Sequence, residues 1–254
     1  MKRWMFASLM AAMTLPAQAD VLGIYAGGGA FQASTSGTLG SDPVDIEKDL
    51  GLSDKDIGYQ AYIAFEHPVP LLPNVRVAAL SFDTDGSGSI SRDFTFGGVT
   101  IPAGATTATS LDYQHTDVTL YYELWDTGFD LDLGVTARNL DVSTDVQYAL
   151  LGSGAGEASE SFNEWVPLLY GAGRVDLPLT GLYAAASVQG IGYSSSSFLD
   201  YQVSLGWTFG LVAVDLGIEV GYRVLSMDLD EKDVGDLTAD FDIEGAYIHG
   251  VLHF

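Results

Sequence analysis

FDLDLGVTARNLDV, residues 129–142, is the stretch on which the fold turns. Phe129, Leu131, Leu133, Val135 and Ala137 share one parity; Asp130, Asp132, Gly134, Thr136 and Arg138 share the other. Alternation at period two marks a strand with one apolar and one polar face. A water-soluble sandwich produces that pattern, and so does a membrane barrel. What each face meets has to come from the rest of the chain.

The first residues bear on that question. Lys2 and Arg3 precede an apolar run from Trp4 to Leu15, Pro16 interrupts it, and Ala17-Gln18-Ala19 is an A-x-A cleavage site. This is the pattern of a secretory signal peptide, too short and wrongly flanked for a spanning helix. The expected organisation is a leader over 1–19 and one domain over 20–254. Losing Lys2 and Arg3 takes the formal charge from −24 to −26. A surface so acidic repels phosphates and excludes nucleic acid as a partner. The absence of cysteine means an exported protein held without disulfides. No later run of about 18 apolar residues offers a transmembrane helix. Yet 47% of residues are apolar and mean hydropathy is +0.19. A barrel whose outer face meets lipid accounts for that combination.

Alternating segments of about ten residues, the length a tilted strand needs to cross a bilayer, recur along the chain. Val214, Leu216, Ile218, Val220, Tyr222 and Val224 alternate with Asp215, Gly217, Glu219, Gly221 and Arg223. Tyr201, Val203, Leu205, Trp207 and Phe209 alternate with Asp200, Gln202, Ser204, Gly206 and Thr208. Tyr59, Ala61, Ile63 and Phe65 alternate with Gln60, Tyr62, Ala64 and Glu66, and Val118 to Leu124 behaves likewise. Weaker segments, rich in Gly and Ala, lie at 21–33 and 182–190, and the parity of 75–83 and 164–176 reads either way. Short connectors at 67–74, 125–128, 177–181 and 210–213 interleave with long polar ones at 34–56, 84–109, 144–163, 191–199 and 227–242. That asymmetry is expected of an outer-membrane barrel, with short periplasmic turns and long outer loops. The expected fold is an all-β, transmembrane, antiparallel up-and-down β-barrel of ten strands. Eight is the alternative if one weak pair belongs to a loop excursion.

GAYIHGVLHF closes the chain, with Ile248 and Leu252 on one parity and aromatic Phe254 last. That pattern resembles the terminal signal by which outer-membrane barrels are read by their assembly machinery. Barrel-assembly machinery and periplasmic chaperones are therefore expected partners, beside outer-membrane lipid and lipopolysaccharide. Tyr25, Trp125, Phe129, Trp165, Phe209 and Phe254 cluster near expected strand ends, where rings sit at headgroup level.

Inside the barrel, parity assigns a lumen ion-pair network: Arg76, Arg138, Arg174 and Arg223 against Glu66, Glu123, Asp130, Asp132, Asp215 and Glu219. Asp117 shares that parity. Arginine suits buried bidentate pairing, whereas Lys48, Lys55 and Lys232 fall in loops. Such charges, together with Tyr62 and Tyr121, predict a plugged lumen; a narrow channel for ions or small solutes is the alternative. The acidic connectors 42–56 and 228–242 are candidates for divalent-cation bridging to lipopolysaccharide. Asp83, Asp85, Ser87 and Ser89, with Gly88, match calcium-loop spacing, although Phe94 stands where a bidentate Glu belongs. Ca2+ is thus a candidate ligand, with a Gly/Ser-rich turn the competing reading. No enzyme is expected. A rim protease of the omptin kind, using His115 and Asp117 with Asp83 and Asp85, lacks that family's local motifs, and no nucleophilic serine–histidine spacing stands out.

Taken together, DLGLSDKDIGYQAYIAFEHPVPLLPNVRV (49–77), DTDGSGS (83–89), LYYELWDTG (120–128) and the terminal HF resemble an uncharacterised family of small Gram-negative outer-membrane β-barrel proteins. The resemblance implies fold and an outer-membrane location. It carries over no catalytic residue.

Overall fold

The computed structural model describes residues 22–39, 43–52, 55–69, 71–152, 154–211, 214–230 and 238–254; the expected leader, 1–19, lies outside them. The strands are β1 Gly23–Leu39, β2 Val44–Asp45, β3 Asp56–Glu66, β4 Asn74–Ser89, β5 Phe94–Phe96, β6 Val99–Ile101, β7 Thr106–Asp126, β8 Asp130–Leu150, β9 Gly154–Asp176, β10 Leu182–Tyr193, β11 Ser196–Gly210, β12 Asp215–Leu229 and β13 Ala239–His253. Setting aside β2, β5 and β6, ten strands pair antiparallel in chain order, and β13 pairs back onto β1. The sheet is therefore a closed ten-stranded barrel, and the eight-strand alternative falls away. Closure removes the edges that an open sheet would leave unpaired. At the seam, Phe254 and Ile24 exchange backbone hydrogen bonds of 3.0 and 3.2 Å, and Tyr25 stacks on His253 with ring centroids 4.1 Å apart.

The connections near 67–73, 127–129, 177–181 and 211–214 share one end with both described termini; this is the lower end. Two expected long connectors at the upper end prove otherwise. Residues 144–150 and 154–163 form the tips of β8 and β9, and 191–199 turns over at Ser194 and Ser195. The strands are longer than the sequence reading allowed because alternation continues past the expected boundary with its polarity inverted. Along β8, Leu133, Val135 and Ala137 face outward and Thr136 and Arg138 inward; above them Leu140, Thr144 and Val146 turn buried side chains inward while Asp141 is exposed. Along β7, Val118, Leu120 and Tyr122 point out in the lower half, whereas Leu111 and Tyr113 point in above.

The upper interior holds an apolar core. Two pieces of chain complete it: the segment around β2, contributing Val44, Ile46, Leu50 and Leu52, and the β5–β6 hairpin, contributing Phe94, Phe96 and Ile101. Burying each such side chain contributes about 1.5–3 kcal/mol. The first segment crosses the inner face of β4, where a Cβ on Gly86 would overlap Gly51 and one on Gly88 would overlap the Asp49 carbonyl. The glycines of DTDGSGS thus admit a crossing chain. The segment is anchored by Thr35 Oγ1 donating to the Leu52 carbonyl (2.7 Å) and Thr107 Oγ1 to the Asp49 carbonyl (3.2 Å). Its turn is fixed by Asp45, which accepts from the Lys48 ammonium (2.6 Å) and backbone (2.9 Å); these bonds hold its carboxyl below the ordinary carboxylate pKa.

Candidate functional site

Between the two halves lies a layer of buried charge. Arg138, with 0% of its surface exposed, donates through Nε and Nη2 to the two oxygens of Asp117, each at 2.7 Å. Its Nη2 also reaches Gln189 Oε1 (2.6 Å) and Asp200 Oδ2 (2.7 Å). Arg223 also holds Asp200, Nε to Oδ1 at 2.9 Å and Nη2 to Oδ2 at 2.6 Å, and its Nη1 donates to Gln60 Oε1 at 2.8 Å. Its Nη2 lies 3.1 Å from His115 Nε2, and Tyr113 Oη lies 3.1 Å from His115 Nδ1. A guanidinium only donates, so Nε2 accepts and the Nδ1 proton is directed at the tyrosine oxygen. Two arginines balance two aspartates, with contributions from β3, β7, β8, β10, β11 and β12. Paired charges and side-chain amides satisfy most of these buried groups, the condition under which buried ions are tolerated, while Arg138 Nη1 and Gln60 Nε2 have no partner among the described residues.

Beneath this layer a chamber of about 550 Å³ runs to the lower end. Tyr62, Tyr121, Tyr170 and Tyr183 line it beside Glu66, Glu123, Asp130 and Asp132. Tyr121 donates to Glu66 (2.8 Å), and Tyr183 and Tyr247 donate to Glu219 (2.9 and 3.3 Å). Arg174 pairs with Asp176 (2.7 Å) and sits 3.7 Å above the Tyr183 ring; Arg76 lies 4.7 Å from the Tyr62 centroid. Carboxylate oxygens of Glu123, Asp126 and Asp130 approach within 4.8 Å of one another.

The structure thus divides the expected network. Arg138 and Arg223 enter the buried layer, but none of the six expected carboxylates does. Asp117 and Asp200 take that place, with Gln60, Gln189 and His115. The polar parity of DYQVSLGWTFG carried the signal for Asp200. Glu66, Glu123, Asp130 and Asp132 line the chamber without a cation at ion-pair distance among the described residues, and Asp215 is 3.7 Å from His253. Asp83, Asp85, Ser87 and Ser89 lie in a row on the outer face of extended β4, paired along β7, where same-face side chains sit about 6.6–6.8 Å apart. They are not gathered around one point. His115 and Asp117 are buried at mid-barrel while Asp83 and Asp85 are exposed outside, so the rim constellation is not assembled. Ile248 and Phe254 are exposed on the outer wall at the seam, with Leu252 between them in sequence. Tyr25 faces inward, and Trp165 stands mid-strand on the outer face of β9.

The fold and interior define an all-β, up-and-down, ten-stranded barrel crossed by a buried charged layer. No model of a known protein family matches the chain, and no curated protein matches it. The family resemblance rests on the quoted segments alone.

Proposed function

We propose that this is an integral outer-membrane barrel of a Gram-negative bacterium, exported by its leader and closed to solutes by its own side chains. One observation carries the reading. Phe65, Val75, Leu120, Val135 and Leu169 are consecutive cross-strand partners on the outer face, and Leu205, Val220 and Ile248 continue the same belt. An apolar band of that extent on a sheet without edges suits hydrocarbon, which leaves no backbone group unpaired. Phe254, at the end of the seam strand, serves as the assembly signal. The role is structural and surface-binding, without catalysis. Flotation with phosphatidylcholine vesicles is the test: protein that stayed monodisperse in detergent-free buffer and never floated would end this reading.

A second element concerns the outer surface above the belt. Asp83 faces Asp112 across β4 and β7, and Asp228 faces Asp240 across β12 and β13. Like charges directly opposite are destabilising. A divalent cation between them removes that repulsion and bridges to lipopolysaccharide phosphates. Chelation is then expected to lower the melting temperature in lipopolysaccharide-containing vesicles; an unchanged melt would count against bridging.

A further inference from the structure

The carboxylates at the lower end of the barrel are arranged in rungs. On β7 and β8, Glu123 stands opposite Asp132 and Asp126 opposite Asp130. Glu123 and Asp126 differ in parity; the irregularity between Glu123 and Trp125 brings both onto the chamber wall. Asp130 and Asp132 are two residues apart on one face, so the rungs are separated by about 6.6–6.8 Å. Like charges directly opposite are destabilising, and here two such pairs are stacked. These four carboxylates accept no hydrogen bond and have no cation at ion-pair distance among the described residues. Arg174 stands opposite Asp130 in register but donates through Nε and Nη2 to Asp176, at 2.8 and 2.7 Å. Arg76 rests over Tyr62. The cationic side chains outside the described residues are Lys2 and Arg3, in the expected leader, and Lys232, in the sequence between β12 and β13.

Tyr170 is an independent sign of a ligand with donors. It is 8% exposed and lines the chamber, yet its hydroxyl has no hydrogen-bond partner among the described residues. Tyr121, Tyr183 and Tyr247 each reach a carboxylate instead. The Tyr170 ring packs against Tyr121, centroids 5.8 Å apart. Its cross-strand partner is Gly134, two residues above Asp132 on β8, so Tyr170 and Asp132 are diagonal neighbours on the inner face. A hydroxyl and the Glu123–Asp132 rung therefore border one space. The group that serves them carries positive charge and several N–H donors; an ammonium has three donors and no acceptor. The walls suit it, because Arg174 and Arg76 already rest on Tyr183 and Tyr62, at 3.7 and 4.7 Å from the ring centroids. A metal ion among Glu123, Asp126 and Asp130 would leave Asp132 and the Tyr170 hydroxyl without a partner. The chamber, at about 550 Å³, also has room for an organic cation.

We propose that the lower chamber binds a linear diamine, one ammonium between Glu123 and Asp132 beside the Tyr170 hydroxyl and the other between Asp126 and Asp130 at the mouth. Two charges joined by a short alkyl chain match two rungs; a single ion matches one. The buried charged layer above stops the diamine from crossing, so the chamber is a binding site and not a passage. Nothing in this site depends on what the outer face meets, and failure of the flotation test would leave it standing. Calorimetric titration of the purified, leader-free protein with diaminobutane, in dodecyl maltoside micelles and mildly alkaline buffer, is the test. Saturable binding of one diamine per chain is expected, with butylamine about tenfold weaker because it serves one rung only. Tyr170→Phe keeps the ring and is expected to weaken diamine binding about threefold to tenfold. Asp132→Asn and Asp130→Asn relieve repulsion, leave the barrel folded, and are each expected to weaken it about tenfold. Absence of saturable binding overturns the proposal. Affinity unchanged in both asparagine variants puts the diamine on the acidic outer surface and overturns it too. Equal affinity for butylamine overturns binding at two points. Displacement by Ca2+ together with indifference to Tyr170→Phe assigns the site to a metal ion and overturns the diamine.

Discussion

β4, β7, β8 and β9 carry two outward ladders of opposite character. In the lower half the neighbours are Val75, Leu120, Val135 and Leu169; in the upper half they are Asp83, Asp112, Ser143 and Ser161. The interior inverts in step, from tyrosines and carboxylates below to leucine and phenylalanine above. Apart from the irregularity between Glu123 and Trp125 of β7, side-chain direction does not change along these strands. What changes is the polarity of each face: along β8 the outer side is apolar below and polar above, and the inner side the reverse. The buried layer of Arg138, Asp117, Asp200 and Arg223 sits where the two regimes meet.

The largest expected effect comes from breaking that junction. Asp200→Ala leaves two guanidiniums buried without their shared partner and is expected to destabilise the barrel by about 3–5 kcal/mol in urea unfolding from vesicles. Unchanged unfolding would mean the layer does not hold the halves together. Next is one substitution made in both regimes on one strand and one face. Leu120→Arg is expected to cost about 2–4 kcal/mol in lipid, and Gln114→Arg less than about 0.5 kcal/mol. Equal costs would erase the distinction between the halves. Gly88→Val forces the 46–52 segment off β4 at about 1–3 kcal/mol, by analogy with overpacking. Hydrogen exchange is expected to quicken in 46–52 and 106–112 and to stay slow in 117–124; uniform quickening would show one cooperative unit. The smallest effect expected is none. Arg138→Ala with Arg223→Ala, scored on protein that inserts, leaves planar bilayers silent, because the apolar core above still closes the interior. Steady single-channel steps would make the charged layer the only seal and favour the narrow-channel alternative.

Legibility in the sequence followed the same division. The lower half was readable because its outer face carries a long apolar parity, as in Val214 to Val224. The upper ends of β7, β8 and β9, at 106–109 and within 144–163, read as polar connectors, since Asp145 and Gln147 stand out more than the inward Val146 between them. Arg138 and Arg223 were recognisable as inward by parity. Their partners were not, because Asp200 lies 62 residues from Arg138 and on a strand across the interior. Gly88 pointed to calcium, whereas the backbone it accommodates is that of Asp49.

The sequence by itself determined the lower parts of the clearest strands, their alternation and which way those side chains point, because period two is a local property of extended chain. Tertiary structure alone decided which inward groups meet and where the 44–52 segment crosses the interior. Those depend on register, strand length and closure, and each couples residues far apart in the chain through distances that no local pattern records.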